Sequence, residues 1–213
     1  MNPFTRAISL SIVFIACSLS AVAQRQQEQR QERQATRRER VDRGAQNLTT
    51  SPEPLTNLEE LDTKIGSVIV KNYTVTGGVS GFGGTATVTG YEFVDTQSGR
   101  KEYGIGVELE ESERAERAAV ERLYVDYDEL DPLIKSIDQI IKIEKSSTME
   151  NFEAQYKTRS ELTVTTFNRA TGALRAAVSS GFMGRIRIGM TLGNLADFRK
   201  LIVDAKASLD KIK

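Results

Sequence analysis

The sequence predicts an α+β fold, with antiparallel sheet built from two sequential strand-rich units that are each closed by a C-terminal amphipathic helix. The first observation is in residues 122–143, where alternating apolar residues give way to apolar residues at every third or fourth position. The same change of period recurs in residues 184–212. The third observation is the strict alternation of residues 102–110, which predicts a strand with one buried and one solvent-exposed face.

The N-terminus carries the three-part pattern of a secretory signal peptide. Arg6 precedes an apolar run over residues 7–17, and the small-residue motif Ala21-Val22-Ala23 follows. Because the run is too short to span a bilayer comfortably, we assign residues 1–23 as a signal peptide, with a retained membrane anchor as the alternative. The predicted location is the periplasm or the extracellular space.

Cys17 is the only cysteine, and it lies inside this segment. Residues 14–17 are similar to a bacterial lipoprotein cleavage site, so acylation of Cys17 is a competing prediction and the only membrane attachment that we expect. Cleavage after Ala23 would leave the mature protein without a thiol, which excludes disulfides and thiolate chemistry.

Residues 24–60 are predicted to be a disordered Gln/Arg-rich linker. The stretch 24–46 is almost free of apolar residues, so it cannot bury enough surface to offset the entropy lost on ordering. We interpret it as a polar spacer, with a basic arm that contacts anionic envelope components as the alternative. A single α+β domain follows over residues 61–213.

The first unit of this domain, residues 61–145, begins with a strand that contains Val68, Val70 and Val75. The glycine-rich sequence GGVSGFGG, residues 77–84, is predicted to be a mobile turn. Two further strands flank a hairpin loop at residues 95–99, and in the second of them one set of alternating residues is apolar: Tyr103, Ile105, Val107 and Leu109.

The first unit ends in a strand at residues 123–127 and a helix. The helix begins either at Asp131-Pro132 or at a capping box formed by Asp126 and Glu129. In the second unit, residues 150–213, the apolar positions of this strand and helix recur 65 residues later, Leu123 matching Ile188. This recurrence predicts an internal duplication; the alternative is two unrelated amphipathic endings.

Composition excludes several classes of chemistry. The chain has no histidine, which removes Ser-His-Asp and Cys-His catalysis and imidazole-bound zinc. Its 29 basic and 29 acidic residues cancel, so no overall electrostatic field attracts nucleic acid or an anionic membrane.

We predict no catalytic residue, no metal site and no cofactor. The acids of residues 126–131 fail the EF-hand pattern, and capping of a helix N-terminus explains them better.

Glu108, Glu110 and Glu111 are the carboxylates that glycoside chemistry would use, although exposed strand and loop acids are the ordinary explanation. The candidate ligand-binding residues are basic. Arg185 and Arg187 share one face of the last strand, and Arg175 lies in the preceding hairpin. If they converge, they form a small patch for a carboxylate, a phosphate or an acidic glycan. Pairing with neighbouring acids is the alternative.

Two successive sets of four strands, each followed by a helix, resemble in outline the Whirly and PUR-type single-stranded nucleic-acid folds. The resemblance covers topology only, and no specific motif accompanies it. The sequence shows no interleaved exposed aromatic residues of the stacking type, and the neutral charge and the signal peptide argue against nucleic acid. We therefore expect no nucleic-acid partner.

The expected function is non-catalytic binding or scaffolding in the cell envelope, through an exposed sheet face or the N-terminal arm. The partner is either an anionic envelope component or another protein. The alternatives are a carboxylate-dependent envelope hydrolase and a structural subunit that oligomerises through a sheet edge. An enzyme should show a deep pocket with converging carboxylates, whereas a binding module should show a shallow face.

Overall fold

The computed structural model describes residues 55–112, 119–143, 151–168, 174–181 and 185–213. The predictions for the signal peptide and for Cys17 lie outside these residues. The elements in chain order are α1 (Asn57–Asp62), β1 (Ile69–Gly81), β2 (Gly84–Asp95), β3 (Lys101–Glu111), β4 (Val120–Asp126), α2 (Tyr127–Ile141), β5 (Phe152–Lys157), β6 (Thr163–Asn168), β7 (Arg175–Ser179), β8 (Arg187–Met190) and α3 (Leu192–Leu209).

The strands form two antiparallel four-stranded sheets, with the orders β1-β2-β3-β4 and β5-β6-β7-β8. The predicted α+β class with antiparallel sheets is therefore confirmed. In β3, the alternating residues Ile105, Val107 and Leu109 are fully buried, as their spacing predicts. They belong to one core that also contains residues of the second sheet and of both long helices, such as Ile188 and Phe198.

The packing of the helices differs from the expectation that each one covers the sheet of its own half. Helix α3 buries Phe198 and Ile202 and packs mainly on β1 and β2 of the first sheet, and also on α2. Helix α2 contacts strands of both sheets. Because the inner faces of both sheets and the two long helices share one core, a helix can bury its apolar residues against the sheet of the other half.

The glycine-rich hairpin between β1 and β2 joins the two sheets and is not a free turn. Phe82 N–H donates to Gly189 C=O at 2.6 Å, and Gly189 N–H donates to Phe82 C=O at 2.9 Å. A Cβ atom on Gly81 would lie 2.3 Å from the Gly189 oxygen, and one on Gly84 would lie 2.0 Å from the Glu110 oxygen. These glycines therefore permit close backbone approach.

Helix α1 begins inside the segment that was predicted to be a disordered linker and crosses its predicted end at residue 60. Leu58 and Leu61 are buried against Tyr91, Phe93 and Tyr124 on the outer face of the first sheet. The ordered chain thus extends upstream of the predicted boundary at residue 61. The proline-rich sequence before the helix indicates a linker, but two leucines spaced by three residues give the helix a buried face.

Asp126 connects α1 to the junction between β4 and α2. Its carboxylate accepts hydrogen bonds from the backbone N–H groups of Asn57 at 2.8 Å and Leu58 at 3.1 Å. Burial raises the pKa of Asp126 despite these bonds. Helix α2 begins directly after Asp126, which confirms the upstream position for its start and places Pro132 inside the helix. The predicted capping box is not formed, because the Asp126 side chain makes no hydrogen bond to the first turn of α2.

A second buried carboxylate, Asp95, organises the loops at one end of the first sheet. It accepts hydrogen bonds from Lys64 Nζ at 2.5 Å, from the Gln97 N–H at 3.0 Å, from Ser98 Oγ at 2.6 Å and from Ser67 Oγ. These bonds, that of Lys64 first, hold the pKa of Asp95 well below its usual value.

The variant Asp95→Asn is expected to melt at a lower temperature than the parent at about pH 7. Because the folded-state pKa is depressed, the stability that the carboxylate contributes is complete above its unfolded pKa of about 3.9 and is lost as the pH falls toward the folded pKa. The gap between the two melting temperatures should therefore narrow below about pH 4. Thermal unfolding of both proteins across this range measures the gap, and a gap that widens toward acid contradicts the assignment.

Candidate functional site

A shallow groove crosses the outer face of the first sheet, opposite the face that α3 covers. It encloses about 370 Å³. We call it the tyrosine groove, and its lining residues are Lys71, Tyr73, Val75, Thr87, Thr89, Tyr91, Gly106, Glu108, Arg122 and Tyr124.

Strand register places the central ring of the groove. Tyr91 on β2 lies opposite Tyr73 on β1 and opposite Gly104 on β3. A Cβ atom on Gly106 would lie 2.6 Å from Tyr91 Cε2, so the missing side chain leaves room for the Tyr91 ring over β3. Helix α1 covers one end of this face, because Leu58 Cδ1 would lie 2.7 Å from a Cβ on Gly104.

The aromatic rings form a continuous cluster with one exposed member. The ring centroid of Tyr91 lies 5.9 Å from that of Tyr73, 5.8 Å from that of Tyr124 and 5.4 Å from that of Phe93. Tyr91 is only 8% exposed, whereas Tyr73 is 67% exposed. Packing thus fixes the inner rings, and Tyr73 presents its ring to solvent as a stacking surface.

The two cations of the groove each have a carboxylate partner. Arg122 donates to Glu108 at 2.5 Å, and this bond raises the pKa of Arg122. Lys71 forms an ion pair with Asp62, and burial lowers the pKa of Lys71. Because both positive charges are already paired, the groove offers hydrogen-bonding groups and an aromatic surface but little net charge for a polyanion.

Among the described residues that line the groove, Glu108 supplies the one carboxylate. Cleavage of a glycosidic bond by two carboxylates needs a second acid within about 10 Å of the first, facing the same bond. Within the part of the chain that the structure describes, no three acids or cysteines cluster in a way that could hold a metal ion.

The three arginines that were predicted to bind a ligand are placed apart from this groove and each has its own contact. Arg185 is 79% exposed and lies 3.8 Å from Glu121. The guanidinium of Arg175 lies 5.2 Å from the Phe82 ring centroid. That of Arg187 lies 5.0 Å from the ring centroid of Phe167.

The convergence of the three arginines on one basic patch remains a prediction. In the pairing of β7 with β8, Arg187 lies opposite Ser179, at the other end of β7 from Arg175, but its guanidinium lies near the ring of Phe167, which pairs with Arg175. Arg187 and Phe167 line a wide depression of about 560 Å³ on the second sheet. Arg185 precedes β8, so it shares no strand with Arg187.

The groove residues were not predicted from the sequence, because no exposed stacking aromatic residue was identified there. A signal was present in β3, where Gly104 and Gly106 occupy the face that otherwise carries Glu108. Paired glycines on one face of a strand indicate that another group approaches the backbone closely. Here those groups are Leu58 and Tyr91.

No family model, curated protein or solved structure matches this chain. The outline resemblance to the Whirly and PUR-type folds therefore rests on the order of the elements alone. None of the helices among the described residues has both the length and the apolar character that crossing a membrane requires.

Proposed function

We propose that this protein is an exported, non-catalytic binding module of the cell envelope and that its ligand lies in the tyrosine groove. The observation that carries the proposal is the exposed ring of Tyr73, held beside the buried ring of Tyr91 on a sheet face that also carries threonines and the Arg122–Glu108 pair. Shallow faces with an aromatic anchor and a few polar groups are typical of recognition surfaces. The location in the envelope follows from the predicted signal peptide.

The chemistry of the groove favours a neutral, polyhydroxylated ligand, that is, a saccharide. The apolar face of a sugar ring can lie against Tyr73, while its hydroxyl groups find both donors and acceptors in the Arg122–Glu108 pair and in the threonines of β2. A polyanion would have to displace Glu108 and Asp62 from their cations, which costs the existing ion pairs.

A carboxylate-dependent hydrolase receives less support from this face. Glu108 is held by Arg122, and the other described residues that line the groove supply no partner acid. Glu110 and Glu111 follow on β3, where both are exposed outside the groove lining.

Replacing Tyr73 with alanine is expected to weaken saccharide binding at least about tenfold, equivalent to about 1.4 kcal/mol, because the stacking surface is lost. Tyr73→Phe keeps the ring and should retain most of the affinity. Arg187→Ala, on the other sheet, should bind like the parent. An array of immobilised neutral and acidic oligosaccharides, with a single-stranded oligonucleotide alongside, measures all four proteins.

Preferential binding of the parent to neutral oligosaccharides, lost only in Tyr73→Ala, supports the proposal. Binding that is lost in Arg187→Ala and kept in Tyr73→Ala would move the site to the second sheet. Preference for the oligonucleotide or for acidic glycans would contradict the ligand class, and release of reducing ends from the array would show catalysis.

A further inference from the structure

The first sheet ends in a long edge strand. Strand β1 has 13 residues, begins the strand order of its sheet and, among the residues that the structure describes, pairs with β2 alone. Three of its large side chains are exposed, Val70 by 42%, Tyr73 by 67% and Val75 by 59%. Edge strands are usually protected by charges or prolines, yet Lys71 is the only charged residue between Ile69 and Val75. Such an edge is suited to pairing with another strand.

The ladder shows which backbone groups are free on this edge. Thr96 N–H donates to Val68 C=O at 3.1 Å, and Asp95 N–H donates to Arg100 C=O at 2.9 Å. Hydrogen-bonding direction alternates along an antiparallel ladder, so the backbone groups of Val70 point toward β2, like those of Val68. By the same alternation the outward-pointing residues are Ile69, Lys71, Tyr73 and Val75.

We propose that two copies of this chain pair through their β1 edges, antiparallel and around a two-fold axis at Asn72. In this register Lys71 lies opposite Tyr73 of the second copy, and Ile69 lies opposite Val75 of the second copy. All four outward-pointing residues then pair, which forms about eight hydrogen bonds. The Lys71 ammonium then faces the ring of Tyr73, and Ile69 faces the apolar side chain of Val75. The edge of β1 is therefore complementary to the same edge of a second copy.

The two neighbouring registers of β1 pairing are less stable than the one centred at Asn72. Centring the axis at Lys71 places two ammonium groups opposite each other, which is destabilising. Centring it at Tyr73 brings Ile69 against the irregularity between Val75 and Gly77, where the ladder shifts. The register around Asn72 stops before that irregularity and avoids both costs.

Pairing would also join the binding surfaces. Directly opposed residues in an antiparallel pair point to the same side of the sheet, so Lys71 and Tyr73 of both copies would lie on one continuous outer face. Two tyrosine grooves would then form one surface across the axis. The dimer itself does not depend on the proposed ligand, since it rests on the strand edge.

The molecular mass in solution tests whether two copies pair through the β1 edge. Light scattering coupled to size exclusion is expected to give twice the chain mass for the parent at about 100 µM. Val75→Lys places a second cation on the edge and should lower the association constant at least about tenfold. The matched control is Val120→Lys, because Val120 is similarly exposed, by 56%, on β4 at the opposite edge of the sheet.

Disulfide trapping tests the register. With Cys17→Ser as background, Asn72→Cys is expected to form an intermolecular disulfide on mild oxidation, because residues opposed at the axis lie about 4.5 Å apart at Cα. Val70→Cys is the control on the same face of β1. In the proposed register the two copies of residue 70 are offset by four residues, about 13 Å, so they should not cross-link.

A monomeric parent, or a dimer that Val120→Lys breaks while Val75→Lys does not, would overturn the proposal. Equal cross-linking of the two cysteine variants would overturn the register. A dimer that binds no saccharide would contradict the proposed function but support the pairing of the β1 edges. A monomer that binds saccharide would support the proposed function but contradict the pairing.

Discussion

Replacing Gly84 with alanine is expected to lower the free energy of unfolding by about 3 kcal/mol. The added Cβ would lie 2.0 Å from the backbone oxygen of Glu110 and 2.5 Å from Ile188 Cδ1. Glu110 belongs to the neighbouring strand of the same sheet and Ile188 to the second sheet, so the methyl group has backbone on one side and buried core on the other. Relief would require the hairpin to move away from both.

Gly193→Ala is the matched control. Its Cβ would meet only Thr191 Oγ1, at 3.6 Å, which is an ordinary contact. Gly193 lies in the first turn of α3, where alanine is the better helix former, so a small gain in stability is expected. Urea unfolding of the parent and both variants measures the difference. If the free energy of unfolding of Gly84→Ala lay within about 0.5 kcal/mol of the parent's, the close packing of the hairpin against both sheets would be contradicted.

Phe198→Ala should remove about 3 to 5 kcal/mol, because Phe198 is one of the largest fully buried side chains. It lies on α3, which packs mainly on β1 and β2. The cavity should therefore loosen the first sheet as well as the helix. Hydrogen exchange is expected to accelerate in the strands of the first sheet more than in β7 and β8.

Ile212→Ala, at a side chain that is 55% exposed near the C-terminus, serves as the control and should change stability by less than about 0.5 kcal/mol. Accelerated exchange in β7 and β8 alone would contradict this packing, because it would place α3 on the sheet of its own half, as the sequence predicts.

Element type could be predicted from the sequence because periodicity reports which face of a segment is apolar. The alternation of Ile105, Val107 and Leu109 identifies a strand, and the change of period after Leu123 identifies a strand followed by a helix. The internal duplication remains a prediction, although both halves contain four strands followed by a helix.

Periodicity does not report what covers an apolar face, and the packing could not be predicted for this reason. The stripe of α3 is compatible with either sheet, and only the three-dimensional arrangement places it on the first. The glycine-rich hairpin has the composition of a flexible turn, while the close contacts that require those glycines come from Glu110 and Gly189, distant in sequence.

The candidate site was missed for a related reason. The three tyrosines of the groove come from β1, β2 and β4, and their proximity depends on strand register. The charge of an arginine can be identified in the sequence, whereas its partner, such as Glu121 for Arg185, is determined by the fold.

The central claim is that the tyrosine groove is the binding surface, and an NMR titration with a neutral oligosaccharide tests it most directly. The predicted result is that chemical shifts change for Tyr73, Thr87 and Arg122, which line the groove, while Phe167 and Arg187 on the second sheet do not respond. Shift changes centred on Phe167 and Arg187, with the groove unchanged, would contradict it.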